Sequence, residues 1–216
     1  MEHDDDRDPR AVRNRRINAF ATILLSLAAL ATSWAGYQAS LWSGDQAAHG
    51  ATSAAIRTRA TRVADSAGQL RLIDVGVYVN WAEAYSRNDY RLAKFLEERF
   101  RPEFRVAFTR WIAMKPFKSD TAARTPFTLP EYRLGAQRTA DSLEALANSE
   151  GAASQRANNV SDAYVLDAVI LATVMFFASA AQQGRGDHAS LRILMLVIAV
   201  IACSAGIYRI IISPVG

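Results

Sequence analysis

Residues Ile193–Ile212 read ILMLVIAVIACSAGIYRIII, an apolar run in which Arg209 is the single charged side chain. Two further segments, Ile17–Tyr37 and Tyr164–Ala181, are similarly apolar. A helix needs about 20 apolar residues to cross the ~30 Å hydrocarbon core of a bilayer. The sequence therefore predicts an all-α protein with three transmembrane helices.

These segments divide the 216-residue chain into parts of different character. The long part between helices one and two predicts an antiparallel helical bundle, because its apolar residues recur at helical spacing and no partner strand is visible. The predicted parts are a basic cytoplasmic tail (1–16), transmembrane helix 1 (17–37), an extracytoplasmic helical domain (38–163), transmembrane helix 2 (164–181), a cytoplasmic loop (182–192), transmembrane helix 3 (193–212) and an extracytoplasmic C-terminus (213–216).

Arginine placement predicts the orientation of the helices. The first 16 residues contain five arginines, and Arg185 and Arg192 lie in the short loop between helices two and three. Short flanks rich in Arg stay cytoplasmic, whereas long domains largely escape that rule. A cleaved signal peptide is the alternative for the first segment, because Ser33-Trp34-Ala35 is a small-x-small site. Its long uncharged run favours an uncleaved anchor, and the large domain lies outside in either case.

Aromatic residues cluster at the predicted outer boundary of the membrane. Such residues form interfacial belts because their amphipathic rings fit the headgroup region. The residues assigned to this belt are Trp34, Tyr37, Trp42, Tyr164 and Tyr208.

Helix signals also organise the outer domain. We expect the helix over 37–85 to break once or twice at its glycines (Gly44, Gly50, Gly68 and Gly76) and its dense apolar part, Leu70–Tyr85, to be buried on most sides. Asn88-Asp89 predicts an N-cap, and Pro102 suits the first turn of the next helix. The proline-containing stretch 115–130 predicts a surface loop, and Gly151 is the expected interruption of the helix that enters the second span.

Asp167 is the strongest candidate for a functional residue. A carboxylate inside a membrane span is costly and often marks function. Arg209 lies at a similar depth in the third span, so we expect an ion pair that holds the two helices together. A proton or ion relay and contact with a partner subunit remain alternatives.

Small residues in the first and third spans, which include Ala28 and Gly206, permit close helix packing. Such residues are consistent with packing of the three spans against each other or with an interface between copies of the chain. Cys203, the single cysteine, is interpreted as an inert buried thiol.

No constellation typical of catalysis or cofactor binding is visible. His3, His49 and His188 lack metal-ligand spacing, and no nucleophile elbow or glycine-rich phosphate loop occurs. The net charge of +4 is modest, and no aromatic-interleaved basic strip is present. We therefore expect neither enzymatic activity nor a cofactor, a metal or a nucleic-acid partner.

Several short motifs resemble those of a group of bacterial three-span integral membrane proteins of unknown function. The resemblance implies the same three-span layout and a bacterial inner membrane, and it brings no catalytic residue or cofactor. The matching pieces are Trp34-Ala35-Gly36-Tyr37-Gln38, Leu41-Trp42, Asn80-Trp81, Tyr85, Arg101-Pro102-Glu103-Phe104, Pro126-Phe127, Pro130-Glu131-Tyr132, Asn158-Asn159 and Ser161-Asp162-Ala163-Tyr164-Val165-Leu166.

These observations lead to a functional hypothesis and two alternatives. We expect a non-catalytic scaffold, assembly factor or accessory subunit that contacts the lipid bilayer and a protein partner or a second copy. One alternative is an extracytoplasmic ligand-sensing module that signals through a partner. The other is a small transporter or channel component that uses Asp167.

Overall fold

The computed structural model describes residues 9–119, 121–183 and 189–215, and within these ranges the chain forms helices and no β-strand. Three helices, α1, α4 and α5, are long and apolar enough to cross a membrane, which confirms the predicted all-helical class and its three candidate spans. The helices are α1 (Pro9–Ser86), α2 (Tyr90–Glu97), α3 (Pro102–Ala113), α4 (Gly135–Gln183) and α5 (Ala189–Ile212), with a short 3₁₀ turn at Pro126–Thr128.

The chain forms two compact units. We call Met1–Gly50 with Gly151–Gly216 the span unit, because it contains the three apolar segments, and Ala51–Glu150 the aromatic unit. Helices α1 and α4 each contribute residues to both units.

In the span unit, the three helices pack through one narrow face each. The buried positions of α4 and α5 recur at alternating spacings of three and four residues, and those of α1 at spacings of three, four and seven, as in helices that pack at a small crossing angle. Small residues leave room for side chains of the neighbouring helix: Leu171 of α4 packs against Gly206 of α5, where an added Cβ atom would lie 3.1 Å from Leu171 Cδ2. The buried residues are Ala21, Leu24, Ala28 and Ala35 of α1, Leu171, Val174, Ala178 and Ala181 of α4, and Leu196, Ala199 and Cys203 of α5.

Large apolar side chains cover the outer surface of the same helices. Leu30, Phe176 and Ile211 are each more than 65% exposed. A water-soluble protein rarely shows such a continuous apolar surface, whereas lipid is its natural solvent. The distribution of small residues inside and large apolar residues outside supports a membrane location for this unit.

The glycines do not interrupt the long helices, contrary to expectation. α1 continues without a break through Gly44, Gly50, Gly68 and Gly76, and α4 continues through Gly151. A single glycine costs a helix only about 1 kcal/mol relative to alanine, and a long packed helix tolerates that cost. Gly50 also has a packing reason, because a Cβ atom there would lie 3.3 Å from Ser154 Oγ.

The apolar stretch Leu70–Tyr85 is helical as predicted, but the expectation that it is buried on most sides was wrong. Asp74 and Trp81 face the interior, while Leu72, Ile73 and Val79 are 71%, 54% and 54% exposed. Apolar density alone does not separate a core helix from a helix with an apolar outer face.

Aromatic rings build the core of the aromatic unit. The side chains of Trp81, Phe104, Phe108 and Trp111 are at most 3% exposed. Trp81 and Phe108 meet edge to face with centroids 4.7 Å apart, an arrangement that aromatic pairs favour. Trp111 Nε1 donates to the carbonyl of Ala123 at 2.7 Å, so its buried N–H group is satisfied and the loop after α3 is fixed to the core.

The predicted helix starts are confirmed. Asp89 is the N-cap of α2, where its Oδ1 accepts from the backbone N–H of Leu92 at 3.0 Å. Pro102 occupies the first turn of α3, where its missing N–H group costs nothing. The loop predicted over 115–130 is largely irregular in its described residues and includes the 3₁₀ turn.

Replacing Phe104 with alanine should lower the free energy of unfolding by about 3–5 kcal/mol, because it removes a fully buried ring and leaves a cavity. The matched control is Phe95→Ala, since Phe95 is 49% exposed, and its effect should stay within about 1 kcal/mol. Chemical or thermal unfolding of the detergent-solubilised protein measures both. Equal effects of the two variants would contradict the assigned core.

Candidate functional site

The structure brings Asp167 and Arg209 into contact within the span unit. Arg209 Nε donates to Oδ1 of Asp167, and the two side chains form an ion pair between α4 and α5. The Asp167 side chain is fully buried, whereas that of Arg209 is 39% exposed. Oδ2 of Asp167 has no hydrogen-bond partner among the described residues.

This pairing has a clear electrostatic reason. A carboxylate buried among apolar helices loses its hydration, and only a nearby cation compensates for that loss. Arg209 supplies the cation while part of its side chain remains exposed, so one charge of the pair keeps contact with its surroundings. The arrangement suits a structural ion pair that holds α4 and α5 together, because Arg209 of the neighbouring helix already neutralises the charge of Asp167.

The C-terminal end of the span unit contains a second polar contact. The carbonyl of Pro214 accepts from Tyr164 Oη at 3.1 Å and from Trp42 Nε1 at 3.2 Å. The segment after α5 is therefore bound to both α1 and α4. This contact was not anticipated from the sequence, because Pro214 is distant from both donors along the chain.

The five aromatics assigned to the interfacial belt occupy different environments. Trp34, Tyr37 and Tyr208 are 44%, 56% and 65% exposed, as residues at a lipid boundary can be. Tyr164 differs from this expectation, because it is fully buried against Ala35 and Ala39. Its hydroxyl group finds a partner in Pro214, which allows the ring to be buried.

Arg192 forms a polar cluster that sequence reasoning missed. Only 6% of this residue is exposed. Its guanidinium donates to Asn14 Oδ1 at 3.1 Å, to Asn18 Oδ1 at 2.7 Å and to the carbonyl of Ala181 at 2.7 Å. From the sequence, Arg192 is expected only to contribute a positive charge on the cytoplasmic side. The available signal was the pair of asparagines four residues apart, which lie on one face of α1.

A third polar cluster lies inside the aromatic unit, around Asp74. Asp74 Oδ2 accepts from Arg101 Nη1 and from Tyr132 Oη, each at 3.0 Å. Glu103 pairs with the same guanidinium and accepts from the backbone N–H of Gly135 at 2.8 Å. The cluster was not predicted, because its members come from three separate segments of the sequence.

Burial changes the titration of this cluster. Desolvation raises the pKa of Asp74 above its ordinary value of 3.8, although the hydrogen bond from Tyr132 and the charge of Arg101 oppose that rise. Burial and the hydrogen bond to Asp74 raise the pKa of the Tyr132 phenol, which therefore stays a donor at neutral pH. The neighbouring ring of Tyr78 shows the same direction, because its burial also raises its pKa.

The aromatic unit also contains a cavity of about 850 Å³. Trp81 and Phe108 contribute buried rings to its wall, and Tyr85, Tyr90 and Phe117 contribute partly exposed ones. Small-molecule sites commonly have volumes of about 300–1,000 Å³ and mostly apolar walls. The cavity therefore has the size and lining of a ligand site.

Metal-binding geometry is absent from the described part of the chain, where no three His, Cys, Asp or Glu side chains group together. His3 and His188 lie outside the described residues, and Cys203 is a buried free thiol. No protein-family model, curated protein or solved structure matches the chain.

Neutralising one member of the Asp167–Arg209 pair should reduce the abundance of folded protein in membranes. Asp167→Asn leaves Arg209 without its counter-ion, and Arg209→Gln leaves a buried carboxylate, a loss that typically costs about 3–5 kcal/mol. The double variant should regain most of the abundance, because neither charge remains. Arg62→Gln, at an exposed position, is the control for removing an arginine. A double variant scarcer than either single variant would contradict a structural pair.

Asp74 should make stability depend on pH. Because its pKa is raised on folding, the folded state holds the proton more tightly than the unfolded state. Its contribution to stability is therefore fully present below the unfolded pKa and falls as the pH rises towards the folded pKa. The thermal midpoint of the wild type, compared with that of Asp74→Asn, should be relatively higher at about pH 4 than at about pH 7. A difference that does not change with pH would be evidence against this assignment.

Proposed function

We propose that this chain is a non-catalytic integral membrane protein that acts as a scaffold, assembly factor or accessory subunit. The proposal places it in a bacterial inner membrane, in the group of three-span proteins that its motifs resemble. The N-terminus is cytoplasmic in this proposal, and the domain over 38–163 is an extracytoplasmic helical bundle. Arginine placement supports the orientation, and the helical content supports the bundle.

The observation that carries the accessory role is an apolar strip on the aromatic unit. Leu72, Ile73 and Val79 expose more than half of their surface on one stretch of α1. Exposed apolar groups in such a cluster are typical of protein contact sites, because covering them releases water and lowers the free energy. A partner helix that covers this strip would bury it.

Photo-crosslinking tests this role. A benzophenone amino acid at position 72 should crosslink the chain, in native membranes, to one discrete protein that also co-purifies with it in stoichiometric amount. The double variant Leu72→Glu with Val79→Glu should lose that protein, because the interface would bury two charges. Ser66, an exposed polar residue of the same helix, provides the control crosslinking site and the control variant Ser66→Glu.

The crosslinked product separates the possible outcomes. A different protein bound at position 72 and not at position 66 supports an accessory subunit. A crosslink only to a second copy of this chain replaces that role with a homo-oligomer. Equal crosslinking at both positions would show that the apolar strip is not a binding surface.

Ligand sensing is a second candidate function, and the cavity of the aromatic unit favours it. In this alternative the domain over 38–163 senses the ligand and signals through a partner protein. Transport through Asp167 has less support, because Arg209 already neutralises that carboxylate.

A further inference from the structure

The distribution of lysine distinguishes the cavity from the rest of the protein. Lysine and arginine together number 25, yet only Lys94, Lys115 and Lys118 are lysines. All three line the cavity in the aromatic unit. Arginine and lysine differ in chemistry, because the ammonium group is a compact charge on a flexible stem that can follow an anion of variable shape.

Two of these lysines flank a tight turn that forms one wall. The backbone N–H of Lys118 donates to the carbonyl of Lys115 at 2.9 Å, with Pro116 and Phe117 between them. Lys115 has a φ of +54°, a left-handed conformation that glycine or asparagine adopts more easily. Lys115 directly follows Met114, the C-cap of α3, so its left-handed conformation ends the helix and begins this turn.

The charges at the cavity are unbalanced. Lys94, Lys115 and Lys118 form no ion pair with any described residue, and all three are exposed. Arg105, also in the lining, donates to the uncharged carbonyls of Glu98 and Phe100, at 2.8 Å and 3.0 Å. Among the described lining residues, these four cations outnumber the two carboxylates, Glu97 and Glu98.

Aromatic rings dominate the apolar part of the lining. Phe117 stacks on Tyr85 with centroids 5.1 Å apart and an interplanar angle of 14°, and Tyr85 stacks on Trp81 at 5.2 Å. Aliphatic side chains contribute little, with Ile112 as the largest. Stacked rings with partly exposed faces suit a flat aromatic group better than a flexible alkyl chain.

We infer that the cavity binds a small organic anion with an aromatic body, whose acidic group is held by the three lysines. The ring system stacks against Phe117, which is 60% exposed and ends the stack that Trp81 and Tyr85 begin, while the carboxylate, sulfonate or phosphate meets the ammonium groups. This inference rests on the ligand-binding candidate function and is independent of the accessory role.

Amine labelling of the full-length protein in zwitterionic nanodiscs tests the inference. Lys94, Lys115 and Lys118 are the only side-chain amines of the chain, so mass spectrometry after reductive methylation gives a reading at each site. The probe is 8-anilinonaphthalene-1-sulfonate, and its neutral counterpart is N-phenyl-1-naphthylamine, which has the same apolar body without the acidic group. The sulfonate should protect the lysines saturably, and the neutral compound should not.

Variants with matched controls locate the site. Lys94→Gln, Lys115→Asn and Lys118→Gln combined should weaken binding of the sulfonate, measured by its fluorescence, about tenfold or more. Asn at position 115 preserves the left-handed backbone. The control combines Arg59→Gln, Arg62→Gln and Arg138→Gln, an equal loss of charge at exposed positions outside the lining, and should leave binding unchanged. Phe117→Ala should abolish lysine protection, whereas Phe95→Ala should not.

Each remaining outcome overturns a defined part of the inference. Equal protection by the neutral compound would remove the anion requirement and leave the ligand-binding candidate intact. If decanoate protects the lysines at a lower concentration than the sulfonate does, the ligand does not require an aromatic body. Absence of protection by any of the three compounds would overturn both the inference and the candidate function. Protection that survives Phe117→Ala would place binding outside this cavity.

Discussion

The structure of the span unit depends on one electrostatic constraint: a charge among apolar helices must find its partner within the chain. Asp167 meets this requirement through Arg209, and Arg192 meets it through two asparagines and a carbonyl group. The two arginines lie near opposite ends of α5. A rotation of α5 by one residue, about 100°, would separate both from their partners. The small apolar faces of the helices are similar along their length, so they do not by themselves select one register. The polar contacts therefore set the register of the helices.

The aromatic unit also contains a buried charged group that is paired within the unit. Its buried carboxylate, Asp74, lies beside a core of closely packed rings and accepts hydrogen bonds from Arg101 and Tyr132. Aromatic residues are the largest members of this core, and the hydrophobic effect that favours their burial is non-directional. The hydrogen bonds to Asp74 and from Gly135 to Glu103 specify how the loop before α4 is placed against α1 and α3.

Much of the secondary structure could be predicted from local chemistry, because its causes lie close together in sequence. Apolar length predicts the three spans, and the Asp89 cap and Pro102 mark the starts of α2 and α3. The glycines of α1 misled the prediction, since the cost of a glycine is local whereas the support for a long helix comes from distant packing.

The candidate sites also divide into contacts that the sequence predicts and contacts that it does not. The proximity of Asp167 and Arg209 could be anticipated, because two antiparallel spans joined by a short loop place similar depths side by side. The Asp74 cluster and the cavity could not, since each combines residues from several segments, and for the Arg192 contacts the sequence offered only the spacing of Asn14 and Asn18. The scarcity of lysine was visible in the sequence, but its meaning required knowing that positions 94 and 115 line the same cavity.

The contact at Pro214 has a practical consequence for handling the protein. Proline has no N–H group, so its carbonyl is the single polar backbone group at that position, and Trp42 and Tyr164 both donate to it. Trimming the chain before residue 214 would leave an indole and a buried phenol without their acceptor. An affinity tag or fluorescent fusion is therefore safest behind a flexible spacer beyond Val215, where it need not pull this carbonyl away from its two donors.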